Sequence, residues 1–401
     1  MSQGGRAPLP GDGRRGAGTA VLLAHAVGTQ ALTFVLRPVM SYRAIELDVP
    51  AAWLGLLGAS FAIAPLVLAI PAGHGADRYG ERRMAVAGAV LFAAASVAFV
   101  VAGHSVAGLV LAGVLLGTGH LGCVIAQQAL VANTTARGGY DTAFGRYTFA
   151  ASLGQAAGPG LIAAFGGGQA IPDTEGVFRW SCLLGVALIV LSAFLPGSPP
   201  RSAQEGGGAA GLRSLLRLPG LGRALATSCV VLAALDVTIV YLPALGAERG
   251  LASGTVGLLL VVRGVASMVS RFFLGRLSRA VGRRRLLVGS TIAAALGLLL
   301  VPLPWPLWAL AVLLLVVGFG LGVGQPLTMS WLAEAAPPGL RGRAMSLRLV
   351  GNRTGQVLIP GAAGLVAAGL GAAGVLWVTA LGLGCVAVAA RRLPVDRGPA
   401  G

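Results

Sequence analysis

The sequence predicts an all-α integral membrane protein with twelve transmembrane helices in two pseudo-symmetric six-helix bundles. Of its 401 residues, 56% are hydrophobic and 11% are charged, whereas soluble domains are about 45–50% apolar and about 25% charged. A membrane crossing needs about 20 apolar residues, so this length allows roughly twelve crossings joined by short loops. The long unbroken apolar runs exclude a β-barrel, whose strands alternate apolar and polar residues.

The apolar segments form two sets of six. The first set covers residues 19–42, 51–72, 84–102, 106–132, 143–165 and 178–195. The second set covers residues 221–245, 252–274, 286–302, 307–334, 344–368 and 372–390. Residues between the sets are polar and rich in glycine and proline, which is typical of a linker. We therefore predict a cytoplasmic N-terminal tail (1–18), a first bundle (19–195), a cytoplasmic linker (196–220), a second bundle (221–390) and a cytoplasmic C-terminal tail (391–401).

The distribution of charge predicts how the chain is oriented. The net charge is +17, and all thirty basic residues are arginine. Most of these arginines lie in alternate loops and both tails, which is the bias of cytoplasmic segments, so a multi-pass protein of the plasma (inner) membrane is predicted. The basic face suits anionic lipid headgroups, and we predict no nucleic-acid partner. The absence of lysine excludes a pump with a Walker A phosphate loop.

The two halves are related in sequence. Residues Gly73–Arg83 have a counterpart in Gly275–Arg285, at an offset of 202 residues, and both contain a Gly-x6-Gly-x-Arg-Arg pattern. Gly154-Gln155 recurs as Gly355-Gln356, at an offset of 201. Such similarity predicts two parallel six-helix repeats, with a transport pathway at their interface.

The segment between spans 2 and 3 resembles a known signature. It consists of Gly73-x-x-x-Asp77-Arg78-x-Gly80-x-Arg82-Arg83, and it is similar to the motif that the major facilitator superfamily of secondary transporters carries at this place. It departs from that motif at Gly75, where leucine is usual, and at Glu81, where a basic residue is usual. We expect the two glycines to allow a tight reversal between helices and the arginines to hold the loop on the cytoplasmic face.

Asp77 is the one acid among the defined positions of that signature, in a loop whose other charged signature positions are arginines. A carboxylate there can cap a neighbouring helix N-terminus or pair with an arginine. The resemblance implies that the neighbour is span 11, which makes Arg348 the expected partner in a cytoplasmic gate. The alternative is that the loop only sets topology.

Span 5 carries a second resemblance. Gly145-x8-Gly154-x3-Gly158-Pro159 is similar to the motif typical of the antiporter branches of the family, although its two closing glycines are replaced by Ile162 and Ala163. Small residues let helices approach closely, and proline loosens a helix. The resemblance implies export by antiport; the alternative is generic packing of small residues.

Asp236 is the only acid that we place near the middle of a span. A charge at that depth costs roughly 2.5–3.5 kcal/mol, so it persists where it has a partner, a water-filled cavity or a function. We therefore identify Asp236 as the candidate proton-coupling residue, with a static ion pair as the alternative. Arg37 lies in span 1, and its counterpart at offset 202 is Ile239, one helical turn beyond Asp236. We predict that Arg37 and Asp236 pair to close an outer gate.

Other polar side chains within the spans are candidates for lining a cavity or binding substrate, or for joining helices. They are Arg263, Gln127, Gln155, Gln325, Asn352, Arg353 and Gln356. The histidines are single, whereas a metal site needs several ligands. Catalytic motifs are absent from the sequence. We therefore predict no cofactor, no metal site and no enzymatic activity.

The resemblance implies a proton-coupled secondary active transporter that works by alternating access and exports a small organic molecule, a drug or a metabolite, by antiport. Its partners are expected to be the substrate, protons and membrane lipid, and a monomer is predicted. The first alternative is an importer, a symporter of a small polar or anionic solute that Arg263 and Arg353 would bind. The second is a polytopic membrane protein that transports nothing.

Overall fold

A computed structural model describes residues 12–48, 51–166, 173–197, 209–251, 253–337, 339–366 and 371–393. Within these ranges the regular structure is entirely helical. The helices are α1 (Asp12–Glu46), α2 (Ala51–Tyr79), α3 (Glu81–Ala102), α4 (Val106–Thr134), α5 (Tyr140–Gly166), α6 (Thr174–Ala193), α7 (Ala209–Leu216), α8 (Leu221–Glu248), α9 (Ser253–Phe272), α10 (Leu274–Val281), α11 (Arg283–Leu300), α12 (Leu307–Ala335), α13 (Arg341–Val366) and α14 (Gly371–Ala390).

Each of the twelve predicted spans coincides with a long helix, and the two short helices, α7 and α10, lie between spans. By length and composition alone, seven of the described helices can cross a membrane, or eight if the bent pair α9 and α10 is one span. The predicted all-α membrane fold is confirmed. Most of the predicted linker and parts of both predicted tails lie outside the described residues, and the division into two bundles at that linker stays a prediction.

The described residues belong to two compact units whose borders run through helices. The first unit comprises Met1–Phe61, Gly80–Gln127 and Ala150–Pro199, and the second comprises Ala62–Tyr79, Gln128–Phe149 and Pro200–Gly401. The second unit therefore joins the second half of the chain to the last part of α2, the end of α4 and the beginning of α5. This grouping places several of the predicted functional residues within one unit.

Each unit buries its own apolar core. In the first unit α6 packs against α1 and α3, and in the second unit α14 packs against α8 and α11. These are the same pairs in the two repeats, because α1 corresponds to α8, α3 to α11 and α6 to α14. Phe92, Phe99 and Phe178 are fully buried in the first core, and Leu298, Leu314 and Leu383 are fully buried in the second. Burial of this kind orders the helices that carry the polar residues.

The predicted signature loop is mostly helical, which corrects the sequence expectation. Helix α2 continues through Gly73 to Tyr79, and the chain reverses at Gly80 alone, where φ is 89° and ψ is 153°. Gly282 repeats this geometry, with φ of 85° and ψ of 140°, between α10 and α11. Residues other than glycine rarely adopt such positive φ values. The reversal thus needs one glycine per repeat, and Gly73 has another role.

Candidate functional site

Asp77 caps the N-terminus of α13. Its carboxylate accepts hydrogen bonds from the backbone N–H groups of Gly342, at 2.7 Å, and Arg343, at 3.0 Å. The Nε atom of Arg343 lies 4.0 Å from the same carboxylate. A helix N-terminus has unpaired N–H groups and a partial positive charge, so a buried carboxylate is stabilised there. The predicted helix-capping contact of Asp77 is therefore present, and its gating role stays a prediction.

Gly73 permits this contact. A Cβ atom at position 73 would lie 2.4 Å from the Ser346 hydroxyl oxygen and 2.9 Å from the Gly342 carbonyl oxygen. Any side chain at position 73 would push α2 away from the first turn of α13, so Asp77 could not reach the N–H groups. Gly73 is thus a close-packing residue inside a helix, whereas the sequence predicted it in a loop.

Arg348 is not the partner of Asp77, contrary to the sequence prediction. The arginine beside Asp77 is Arg343, which belongs to the first turn of α13. Arg348 lies more than a turn further along the helix, where its guanidinium donates hydrogen bonds to Gln128, at 2.9 Å, and Gln325, at 2.8 Å. A capping carboxylate reaches only the first turn of the helix it caps, which explains the difference.

His74 joins the same cluster at the end of α2. A guanidinium nitrogen of Arg343 donates a hydrogen bond to Nδ1 of His74. Burial, together with the charges of Arg343 and Arg78, lowers the pKa of His74 below its ordinary value. The neutral imidazole is the form that can accept the N–H of Arg343. The Arg78 guanidinium itself lies over the Tyr79 ring, 5.4 Å from its centroid.

Arg341 makes a second contact between the beginning of α13 and the first half of the chain. Its guanidinium donates hydrogen bonds to the carbonyl oxygen of Ala132, at 2.6 Å, and to the hydroxyl of Tyr140, at 2.8 Å. These partners lie at the end of α4 and the beginning of α5. The sequence analysis missed Arg341, because the predicted span 11 began only at residue 344.

Arg283 bridges two carboxylates at the beginning of α11. Its Nε atom donates to Asp141 at 2.8 Å, and its Nη1 atom pairs with Glu334. Burial alone would lower the pKa of Arg283, but Asp141 and Glu334 outweigh burial and raise it. Position 283 is the counterpart of Glu81 at the offset of 202. The sequence analysis missed this cluster. The opposite charges of Glu81 and Arg283 at equivalent positions of the repeats could have indicated that Arg283 has a role of its own.

Arg348 lies at the centre of a buried polar network. It is 2% exposed. Gln128 comes from α4, Ser228 from α8, Gln325 from α12 and Asn352 from α13. Ser228 donates to Asn352 at 2.8 Å, and Asn352 donates to Gln325 at 3.3 Å. Gln325 and Asn352, predicted to line a cavity or bind substrate, therefore lie in contacts between helices.

Asp236 lies at the end of a second polar chain. The Gln356 amide donates to the Asp236 carboxylate at 2.6 Å, and Arg353 donates to the Gln356 carbonyl oxygen at 3.0 Å. Arg263 is near enough to Asp236 to interact with it electrostatically. These residues come from α8, α9 and α13, and three of them, Arg263, Arg353 and Gln356, were predicted as substrate or cavity candidates.

Arg263 is held deep between helices. It is 7% exposed, and its Nε and Nη1 atoms are buried without a hydrogen-bond partner among the described residues. Gly318 of α12 packs closely against the backbone of Arg263, since a Cβ atom at position 318 would lie 2.1 Å from the Arg263 carbonyl oxygen. Buried guanidinium groups without partners are costly. Among the buried arginines that the structure describes in this unit, Arg263 is the one with two guanidinium nitrogens that lack a hydrogen-bond partner.

Arg37 lies in the first unit, whereas Asp236 lies in the second. The Arg37 guanidinium is 4.5 Å from the centroid of the Phe61 ring. The predicted pairing of Arg37 with Asp236 stays a prediction.

Two glutamines of the first unit contact other helices. Gln127 is fully buried, and its amide group contacts Nδ1 of His25 at 2.6 Å and donates to Thr29 at 2.9 Å. Gln155 is half-buried and donates to Gln30 at 3.5 Å. Gln127 thus joins α4 to α1, which is the alternative to its predicted role in a cavity.

The glycines of the span 5 motif lie at close helix contacts. A Cβ atom at Gly145 would lie 2.5 Å from the Arg271 carbonyl oxygen, and one at Gly154 would lie 2.3 Å from the Val27 carbonyl oxygen. A Cβ atom at Gly158 would lie 2.7 Å from the Phe34 side chain. The side chain of Pro159 lies outside the described residues. The glycines have a packing role, and the antiporter role of the motif stays a prediction.

Comparisons with solved structures agree with this fold. The human organic anion transporter MFSD10 (TETRAN) is 19% identical, with a TM-score of 0.73 over 96% of this chain and 100% of that one. The proton:xylose symporter XylE is 16% identical, with a TM-score of 0.75 over 93% and 95%. A bacterial homologue of the iron transporter ferroportin is 14% identical, with a TM-score of 0.77 over 94% and 100%.

Sequence comparisons identify the family. Myo-inositol transporter 1 of Saccharomyces cerevisiae (strain ATCC 204508 / S288c) is 29% identical over 97 residues, which is 24% of this chain and only 17% of that one. The sequence model of the Major Facilitator Superfamily matches residues 22–245 and, again, residues 224–401. The two matches reproduce the repeat seen in the sequence. This chain is a multi-pass membrane protein that belongs to the Major Facilitator Superfamily of transporters.

Proposed function

We propose that the chain is a proton-coupled secondary transporter that works by alternating access and exports a small organic molecule, a drug or a metabolite, by antiport. In this proposal it lies in the plasma membrane as a monomer, with both termini in the cytoplasm. The single observation that carries the proposal is the polar chain Asp236–Gln356–Arg353 beside Arg263. Family membership favours transport over the alternative of a membrane protein that transports nothing.

The polar chain can respond to a proton. Ionised Asp236 attracts Arg263 and accepts the N–H of Gln356 at 2.6 Å. Protonation removes the charge, so it weakens both interactions at once. Because the partners lie on α9 and α13, a proton on Asp236 would loosen α8 from two neighbouring helices. A charge change that alters helix contacts is what coupling to a proton gradient requires.

The contacts made by Asp77, Arg341 and Arg283 form the proposed cytoplasmic gate. Asp77, Arg341 and Arg283 each join a segment from the first half of the chain to a helix from the second half. Alternating access requires such contacts to break and re-form in each cycle. Hydrogen bonds and ion pairs serve this purpose, since each is directional and modest in net free energy.

The direction of transport rests on the span 5 motif, whose resemblance to antiporters supports export. A second candidate function, import of a small anion by symport, is favoured by one observation. Arg263 keeps two buried guanidinium nitrogens without partners in the described part of the chain. A carboxylate or phosphate group of a solute would accept a hydrogen bond from one of them.

The test is proton movement in everted membrane vesicles. A pH-sensitive dye inside the vesicles reports alkalinisation when cationic, neutral and anionic compounds are added. We expect wild type to respond to at least one compound and Asp236→Asn to lose the response. Asp173→Asn is the matched control, because Asp173 caps α6 outside the polar chain and asparagine can also cap a helix.

The outcomes separate the candidates. A response that survives Asp236→Asn contradicts the role of Asp236 and retains antiport. Uptake of an anion that Arg263→Ala abolishes, without a response in everted vesicles, supports import instead. Absence of both proton movement and uptake across the panel, with the protein present in the vesicles, contradicts the proposed transport.

A further inference from the structure

An apolar groove lies on the outer surface of the second unit, between α9, α11 and α12. Its volume is about 610 Å³, which is within the range of binding clefts in proteins. Its walls are apolar side chains such as Val265, Val316 and Phe319. Val265 is 50% exposed and Val316 is 40% exposed, so the groove is open to the surroundings of the helices and is not part of the core.

Two glycines create the groove. A Cβ atom at Gly289 would meet nothing within 4 Å, so this position leaves open space on α11. A Cβ atom at Gly320 would lie 2.4 Å from the Ser290 carbonyl oxygen, so α11 and α12 touch beneath that space. The groove is therefore an indentation whose floor is formed by two helices in close contact.

Arg285 marks one end of the groove. It is exposed and makes no hydrogen bond or ion pair within the described part of the chain. Its neighbours differ, because Arg283 pairs with Asp141 and Glu334, and Arg284 donates to the Leu393 carbonyl oxygen at 3.4 Å. Arg285 is thus a guanidinium that is available to a ligand at the mouth of an apolar groove.

We propose that this groove binds an anionic phospholipid, with one acyl chain between α9, α11 and α12 and the headgroup phosphate on Arg285. From Arg285 to Ala293 the groove follows α11 for about 12 Å, and its charge lies at one end only. An acyl chain with a terminal phosphate has this distribution of apolar surface and charge. Arginines at the end of a membrane helix lie at headgroup level.

A second copy of this chain or another membrane helix fits the groove less well. Helix interfaces in membranes use stripes of small residues along both partners. Gly289 and Ala293 are small, but the walls that α9 and α12 contribute include the larger side chains Val265, Val316 and Phe319. An apolar helix in the groove would also offer no carboxylate to pair with Arg285 at its end. The proposal does not rest on the proposed substrate or on proton coupling.

The test is native mass spectrometry of the full chain, reconstituted in vesicles of phosphatidylglycerol or phosphatidylcholine and extracted in mild detergent. We expect retained phosphatidylglycerol on wild type. Because one arginine near a headgroup contributes about 1 kcal/mol, Arg285→Gln should retain it about fivefold less. Gly289→Leu, whose side chain enters the open groove, should reduce retention of phosphatidylglycerol by at least as much.

Two matched variants provide the controls. Arg279→Gln removes an arginine that is also exposed and unpartnered in the described part of the chain, but that does not line the groove. Gly384→Leu adds the same side chain to α14, where a Cβ atom also meets nothing within 4 Å. Both should retain phosphatidylglycerol like wild type.

Three results would overturn the proposal. The first is equal retention of phosphatidylcholine and phosphatidylglycerol by wild type. The second is a loss with Arg279→Gln as large as with Arg285→Gln. The third is a dimer whose abundance falls with Gly289→Leu, because that result assigns the groove to a second copy of the chain. Since Arg285 is exposed, Arg285→Gln remains informative even if Gly289→Leu does not fold.

Discussion

Arg348 carries a positive charge into the interior, and its hydrogen-bond partners in the described part of the chain are the neutral side chains of Gln128, Ser228 and Gln325. It is 2% exposed, and its Nε atom has no partner in the described part of the chain. Breaking a buried ion pair costs about 3–5 kcal/mol, whereas a hydrogen bond that involves a charged group contributes about 1.5–3 kcal/mol. Amide partners such as Gln128 can therefore hold this charge and still release it. A neutral partner such as Gln128 is therefore compatible with a contact to Arg348 that breaks and re-forms.

Replacement of Gln128 by glutamate should lock this contact. Gln128→Glu places a carboxylate on an existing buried cation, so we expect about 1 kcal/mol more stability, measured as a higher thermal unfolding temperature in detergent. Transport should slow, because the pair resists opening. Gln127→Glu is the control, since Gln127 is equally buried but its partners are His25 and Thr29, and it should destabilise. Equal destabilisation by both substitutions would contradict the argument.

At the scale of helices, the contact between α2 and α13 depends on a glycine and a cap. Gly73 lets the helices approach, and Asp77 pairs with the backbone N–H groups of α13. Ser346 is fully buried beneath Gly73. A cysteine at position 346 should therefore be alkylated only when the two helices separate. Ser346→Cys, in a variant without the four native cysteines, is a direct reporter of this contact.

Removal of the cap should open this contact. Asp77→Ala leaves two N–H groups of α13 without an acceptor, and loss of a cap costs about 1 kcal/mol. We expect about fivefold faster alkylation at position 346. Asp77→Asn keeps one acceptor oxygen and should have a smaller effect. An unchanged alkylation rate in Asp77→Ala would show that the contact is held by other residues.

Sequence patterns predicted the helices better than their contacts. The apolar segments predicted all twelve long helices, because apolar runs of that length have few other stable structures. The segment from Gly73 to Tyr79 was predicted as a loop, since Gly73 and Gly80 were expected to allow a tight reversal, but close approach to Ser346 requires glycine within a helix. Arg343 was missed as the neighbour of Asp77 because the start of α13 lay three residues before the predicted span.

For the whole molecule, the repeat in the sequence is reflected in the packing of equivalent helices, but it contains no information about which segments belong to each compact unit. The offset of 202 residues relates α3 and α6 to α11 and α14, and these pairs pack alike. The second unit also includes parts of α2, α4 and α5, which are held by Asp77, Arg341 and Arg283. Partners such as Ala132 and Tyr140 are 200 or more residues from Arg341. Local patterns contain no information about contacts over such separations.

These contacts should act in parallel within the second unit. Asp77 contacts α13, whereas Arg283 pairs with Asp141 and Glu334. Because these sets of described partners do not overlap, the free energies lost with Asp77→Ala and Arg283→Gln should add. Asp77→Ala should raise alkylation at position 346 about fivefold, and in the double variant the fold-changes of the two single variants should multiply. Arg279→Gln should leave the rate unchanged. A double variant no faster than the faster single one would show that Arg283 does not restrain the separation of α2 from α13, and the proposed gate would then reduce to the Asp77 cap and Arg341.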